Sequence, residues 1–148
     1  MIKQISEGEN HTAVNIGDLS SLSDYEFKHP RLGTVLKSKL FLGEILKATG
    51  TELSFREVPP KTNIPFLHKH HKHEEIYIVL KGRGKYQIDD TIFDISEGSI
   101  VRVAPNGIRT LSNIGDEVMI YMVIQAHSNT ITGRDVYDGY RVKGEIKI

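Results

Sequence analysis

The chain has no cysteine among its 148 residues, which excludes disulfides and thiolate metal sites. It has no surplus of either charge: 19 Lys and Arg residues are matched by 19 Asp and Glu, and the pI is near 7.1. Non-specific nucleic-acid binding needs a basic excess, so that function is not expected. No apolar run is long enough to span a bilayer. The longest, residues 118–124, falls far short of the ~20 residues a spanning helix requires. Residues 1–10 carry no apolar signal-peptide segment. A soluble, cytoplasmic protein that engages neither nucleic acid nor membrane is the expectation. Sustained helical periodicity is missing as well, and there is no internal repeat.

What is present is a rhythm of short apolar stretches broken by turn residues. Residues 1–33 are polar and irregular and read as an N-terminal arm, with room for one short helical turn near residues 17–24 capped by Asp18 or Ser20. Residues 40–46 and 52–58 read as two strands of a hairpin across Ala48-Thr49-Gly50-Thr51. Gly82-Arg83-Gly84, Asp89-Asp90-Thr91, Glu97-Gly98, Pro105-Asn106-Gly107 and Asn113-Ile114-Gly115-Asp116 then separate further strands. Turn signals at this spacing over residues 34–126 predict an all-β antiparallel sandwich or small barrel in a single domain. Residues 127–148 form a tail. In it Val142, Gly144, Ile146 and Ile148 alternate with charged residues, which is strand patterning.

The densest chemistry lies in His68-Lys69-His70-His71-Lys72-His73-Glu74-Glu75, which holds four of the chain's seven histidines. Side chains two apart on a strand share a face, so His68 and His70 point the same way. Glu75 has the opposite parity. A turn over residues 71–74 would bring it back, starting a new strand at Glu75 with Tyr77 and Val79 on its face. Two imidazoles and a carboxylate on one face suit Fe, Mn, Ni, Co or Zn. By the same parity Glu74 goes to the other face, and His71 and His73 belong to an exposed turn. An alternative is that the tract is a solvated loop that binds metal only adventitiously.

These residues resemble the first motif of the cupin superfamily. His68-x-His70-x4-Glu75-x6-Gly82 satisfies everything in it after the leading glycine, whose place is taken by Thr62. Gly98, Pro105, Gly107 and Asn113 are similar to the second motif, with one residue more before Pro105 and one fewer before Asn113. The resemblance covers about residues 41–126. It implies an antiparallel double-stranded β-helix, or jelly-roll cupin barrel, often dimeric, with a divalent transition metal on His68, His70 and Glu75. The family's fourth ligand, a histidine, falls on Arg109 or Thr110 here, so three protein ligands are the most this site can offer. Arg109 has two readings: a barrel-mouth arginine paired with Asp116 or Glu117, or a fork for a ligand carboxylate or phosphate. Gln125 ends an apolar strand on the face of Tyr121 and Val123, where it could orient a ligand. Tyr77 and Tyr86 read first as core, and Tyr77 joins Arg109 and Gln125 as the candidate ligand-binding set.

The function expected from this reading is a metal-binding cupin acting on a small, anionic organic ligand, with dioxygenase, isomerase or lyase chemistry. A non-catalytic module that senses a sugar or metabolite is the alternative, and a structural or storage role is a third. Exposed sheet edges and the alternating tail point to a homodimer formed by strand addition. Sedimentation of the full-length protein should give a dimer mass that falls when residues 142–148 are deleted. A monomeric full-length chain would contradict the expectation.

Overall fold

The structure, a computed structural model, describes residues 1–30, 33–131 and 138–148. Arg31 and Leu32 of the expected arm and residues 132–137 of the expected tail lie outside the described residues. In chain order the strands are β1 (Lys3–Gly8), β2 (His11–Asn15), β3 (Glu26–Lys28), β4 (Val35–Lys37), β5 (Lys39–Phe41), β6 (Thr51–Val58) and β7 (Thr62–Asn63). They continue as β8 (His73–Lys81), β9 (Arg83–Ile88), β10 (Thr91–Ser96), β11 (Ile100–Val103), β12 (Arg109–Asn113) and β13 (Met119–His127). Two antiparallel sheets dominate, ordered β10-β9-β12-β7 and β11-β8-β13-β6-β5. This is the double-stranded β-helix fold. No helix among the described residues is long and apolar enough to cross a membrane.

The inner faces of the two sheets bury a common core. Tyr77 and Val79 of β8, Tyr86 of β9, Leu111 of β12 and Tyr121 and Val123 of β13 belong to it. Alternation along β8 is strict, with Glu75, Tyr77 and Val79 buried and their neighbours more exposed. The turn after β8 depends on Gly82, which sits at φ +85°, and a Cβ there would meet Met119 Cα at 2.9 Å. Asn113 closes the β12 end. Its amide donates to the carbonyls of Val58 at 3.0 Å, Pro59 at 3.0 Å and Glu117 at 2.7 Å, and its oxygen accepts from Gly115 N–H at 2.8 Å.

Three expectations change in detail. The strand expected over residues 40–46 ends at Phe41, and the chain then turns, with Leu46 N–H bonded to Leu42 O at 2.8 Å. The carboxylate of Glu52 accepts the amides of Leu42 and Gly43 and holds this turn against the start of β6. The N-terminal residues are not irregular: they form the β1–β2 hairpin, a 3-10 turn over Leu19–Asp24 capped by Asp18, and β3, which pairs with β4. Residues 138–148 form no strand within the chain, and Tyr140, Val142, Ile146 and Ile148 stand exposed.

A second apolar cluster lies on the outer face of the five-stranded sheet. Leu22 from the 3-10 turn packs there with Leu40, Leu42 and Ile120, and it is 1% exposed. Leu22→Ala should therefore lower unfolding free energy by about 2–5 kcal/mol, as for other buried leucines. Urea denaturation checks this, and a loss below ~1 kcal/mol would show that the segment does not belong to the folded core.

Candidate metal centre

His68, His70 and Glu75 come together on the wall of a cavity between the two sheets. One ligand atom from each lies within 4.8 Å of the others. The expected turn is tighter than the sequence suggests. It occupies residues 71 and 72, and β8 already begins at His73. His68 is not on a strand proper. It makes an isolated bridge with Arg109, His68 N–H to Arg109 O at 3.2 Å and Arg109 N–H to His68 O at 3.0 Å. His70 is fixed by its N–H on Pro105 O at 3.0 Å. His71 and His73 are exposed, as expected. Glu74 faces away and pairs with Arg102.

Glu75 is 2% exposed and carries the densest set of contacts in the structure. Its Oε2 accepts the Tyr77 hydroxyl at 2.7 Å and Arg109 Nε at 3.0 Å, with Arg109 Nη2 also bonded to it. Its Oε1 accepts Gln125 Nε2 at 2.8 Å. Gln125 is the cross-strand partner of Glu75 in the β13–β8 register, which the sequence could not disclose. His70 Nε2 stands 3.1 Å from Oε1, and His68 Nε2 3.7 Å from Oε2. Burial pushes the Glu75 carboxyl up, but the close approach of His68, His70, Arg109 and Tyr77 outweighs it and holds the group well below the usual carboxylate range. Burial, with the neighbouring Tyr86 and Glu75, pushes the Tyr77 hydroxyl well up, so it stays a donor.

Arg109 is the main correction. It does not turn outward, and it is 0% exposed. Asp116 pairs instead with Lys61 and Arg83, and Glu117 with Lys81. Nor does the guanidinium line the cavity as a ligand fork: it grips Glu75 and gives Nη1 to Gly107 O at 3.0 Å. A buried carboxylate needs a hydrogen-bonded cation, and Arg109 is that partner of Glu75. Thr110, the other candidate for the fourth-ligand place, does face the cavity and bonds Ile64 O at 3.1 Å.

The donor set fits a divalent transition ion. Two ligand atoms each ~2.1 Å from a metal stand no more than ~4.2 Å apart; the His70–Glu75 and His68–Glu75 separations fall inside that limit, and the three ligand atoms together lie within 4.8 Å of one another. His70 Nε2, 3.1 Å from Glu75 Oε1, is buried without a hydrogen-bond partner, as an unused imidazole lone pair would be. Arg109 cancels the charge of Glu75, so an ion held there keeps its own positive charge largely uncompensated.

The cavity encloses about 660 Å³ and is lined mainly by apolar side chains. Gln125 and Tyr77, expected at a ligand, lie on its wall. Tyr86 contributes a buried hydroxyl with no partner among the described residues. Two cations that the sequence reading passed over also face it, Lys39 from β5 and Arg56 from β6. The alternation of Glu52, Ser54 and Arg56 along one face of β6 was the available signal. Burial and the adjacent Arg56 pull the Lys39 ammonium down to about 8.

Comparison with known proteins gives a consistent result. The Cupin domain family profile matches residues 54–125. A solved structure of a cupin protein from Bacteroides fragilis is 28% identical, covers 79% of this chain and 99% of its own, and superposes with a TM-score of 0.68. A protein from Thermotoga maritima, named as a predicted oxalate decarboxylase, shares the fold at 18% identity, with 70% and 90% of the two chains covered and a TM-score of 0.57. An uncharacterized protein of Methanocaldococcus jannaschii is 34% identical over 68 residues, 45% of this chain and 54% of that one. This chain thus spans about half the length of that relative.

Because Glu75 titrates far lower when folded than when unfolded, the folded state binds fewer protons between the two values, and stability rises with pH there. The contribution is complete above an unfolded carboxyl's ~4.3 and is lost on acidification below it. In EDTA-treated protein, Glu75→Gln should flatten the acid limb of urea stability. Arg109→Met should cost about 3–5 kcal/mol at neutral pH by stranding the carboxylate. An unchanged acid limb in the first variant, or a loss below ~1 kcal/mol in the second, would remove the buried pair from this description.

Proposed function

The chain belongs to the cupin superfamily, and we propose that it is a metal-binding cupin acting on a small organic ligand in the cavity between its sheets. The observation that carries this is the convergence of His68, His70 and Glu75 on the cavity wall with His70 Nε2 left unpaired. The metal would be Fe, Mn, Ni, Co or Zn, which imidazole and carboxylate donors accept. When bound it supplies a Lewis acid or an oxygen-binding centre, and dioxygenase, isomerase and lyase chemistries all fall within that reach. The fold does not select among them.

The chain's own residues have definable parts. Arg109, Tyr77 and Gln125 fix the Glu75 carboxylate in one orientation. His68 is held in place by the backbone of Arg109, so one residue positions two ligands. Tyr86 offers a hydroxyl hydrogen to whatever enters. A second reading, a non-catalytic metabolite-binding module, is favoured by the same Glu75 contacts. Protein donors already take most of its lone pairs, and no fourth ligand stands beside it among the described residues. A homodimer remains part of the proposal, with the edge strands β5, β7, β10 and β11 as pairing surfaces.

Untagged protein loaded with one metal and analysed for stoichiometry tests the assignment. His70→Ala should abolish stoichiometric uptake, while His73→Ala should leave it intact. Equal loss from both variants would make the histidine tract adventitious and overturn the metal site.

A further inference from the structure

Lys39 and Arg56 are directly opposite each other in the antiparallel β5–β6 pair. Opposed residues in such a pair share a face, and like charges there repel. Here the shared face is the interior, where both side chains line the cavity. Lys39 is only 8% exposed. Its ammonium has one hydrogen bond, to Ser54 Oγ at 2.9 Å, and lies 4.6 Å from the Phe41 ring centroid. Arg56 Nε is buried with no hydrogen-bond partner. Neither cation makes an ion pair among the described residues.

Glu75 and Glu52, whose charges reach Lys39 through space, make their hydrogen bonds elsewhere. Glu75 is committed to Arg109. Glu52, on the same face of β6, spends Oε1 on the amides of Leu42 and Gly43. The cavity wall thus keeps two adjacent positive charges without an ion pair: Lys39 is buried, where a charge is costly unless paired, and Arg56 is half-buried beside the Tyr121 hydroxyl. Local rules broken without an internal compensation are expected where a ligand supplies it. The remaining walls near the pair, including Phe41, Ile64, Leu111 and Val123, are apolar and suit a carbon skeleton.

We infer that Lys39 and Arg56 form the recognition site for the anionic head of a small organic acid, whose apolar body lies along the cavity toward His68 and His70. This places anion recognition on β5 and β6 and takes it away from Arg109. It rests on the reading of this cavity as the ligand site, but it needs no metal. Arg56 supplies the planar fork and Lys39 the compact charge that together hold an oxyanion.

The test uses the full chain, both EDTA-stripped and metal-loaded, titrated calorimetrically with benzoate, phenyl phosphate and the neutral benzamide. At least one anion should bind roughly ten-fold or more tightly than benzamide in both forms. Lys39→Met and Arg56→Gln should each remove most of that preference while leaving benzamide affinity and metal stoichiometry unchanged. Because each variant relieves a like-charge pair, the ligand-free melting temperature should not fall. Should one variant fail to fold, the other decides together with the stripped parent. The inference is overturned if neither anion is preferred, if the preference survives in the folded variants, or if it exists only in metal-loaded protein. In the last case the ion alone holds the anion, and the metal reading stands without this site. Preference retained in a chain that takes up no metal would support this site and overturn the metal reading.

Discussion

The ion pair between Glu75 and Arg109 is the contact on which the rest of the interior depends. Glu75 rides on β8 of the five-stranded sheet and Arg109 on β12 of the four-stranded one, so their bond joins the two sheets across the cavity floor. Both side chains are withdrawn from solvent, where an isolated charge of either sign would be too costly to keep. Every other polar group at the site is arranged around that necessity. Tyr77 and Gln125 take further acceptor positions of the carboxylate, and the backbone of Arg109 seats His68.

This arrangement changes what the site can do. A histidine in the fourth-ligand place would add a neutral donor to a metal, whereas Arg109 adds a fixed positive charge beside the one anionic ligand. The guanidinium competes with an ion for Glu75 and leaves the ion more electron-poor once bound. Binding should be weaker than in a four-ligand site, and a bound ion should draw an anionic ligand more strongly. Lys39 and Arg56 lie on the wall of the same cavity, so its field favours negative charge throughout.

Much of the fold was legible because strand period and turn chemistry are local properties. Alternation from Glu75 to Val79, the turn at Gly82 and the loop at Gly98 follow from side-chain parity and glycine's freedom at positive φ. The grouping of His68, His70 and Glu75 was legible from their spacing and the turn between them, although the two histidines lie outside the named strands and strand parity does not place them. What was not legible depends on register and on partners distant in sequence. Gln125 meets Glu75 only because β13 pairs with β8 in one register. Arg109 meets Glu75 rather than Asp116 because β12 runs with its side chain inward, and no nearby residue announces that. Lys39 escaped notice because a lysine at a strand start reads as a solvated end, and only the β5–β6 register reveals the arginine opposite it. The tail shows the converse limit: residues 142–148 carry the alternation of a strand, yet residues 138–148 pair with no strand among the described residues.

The central claim is that three ligands and one buried arginine together make a metal site. Its most direct test is an anomalous difference map from crystals of untagged, metal-loaded protein. The account predicts one peak, ~2.0–2.2 Å from His68, His70 and Glu75 if the ion is zinc or similar, with Arg109 still bonded to Glu75. A peak instead on His71 or His73, or no peak between the three side chains, would contradict it.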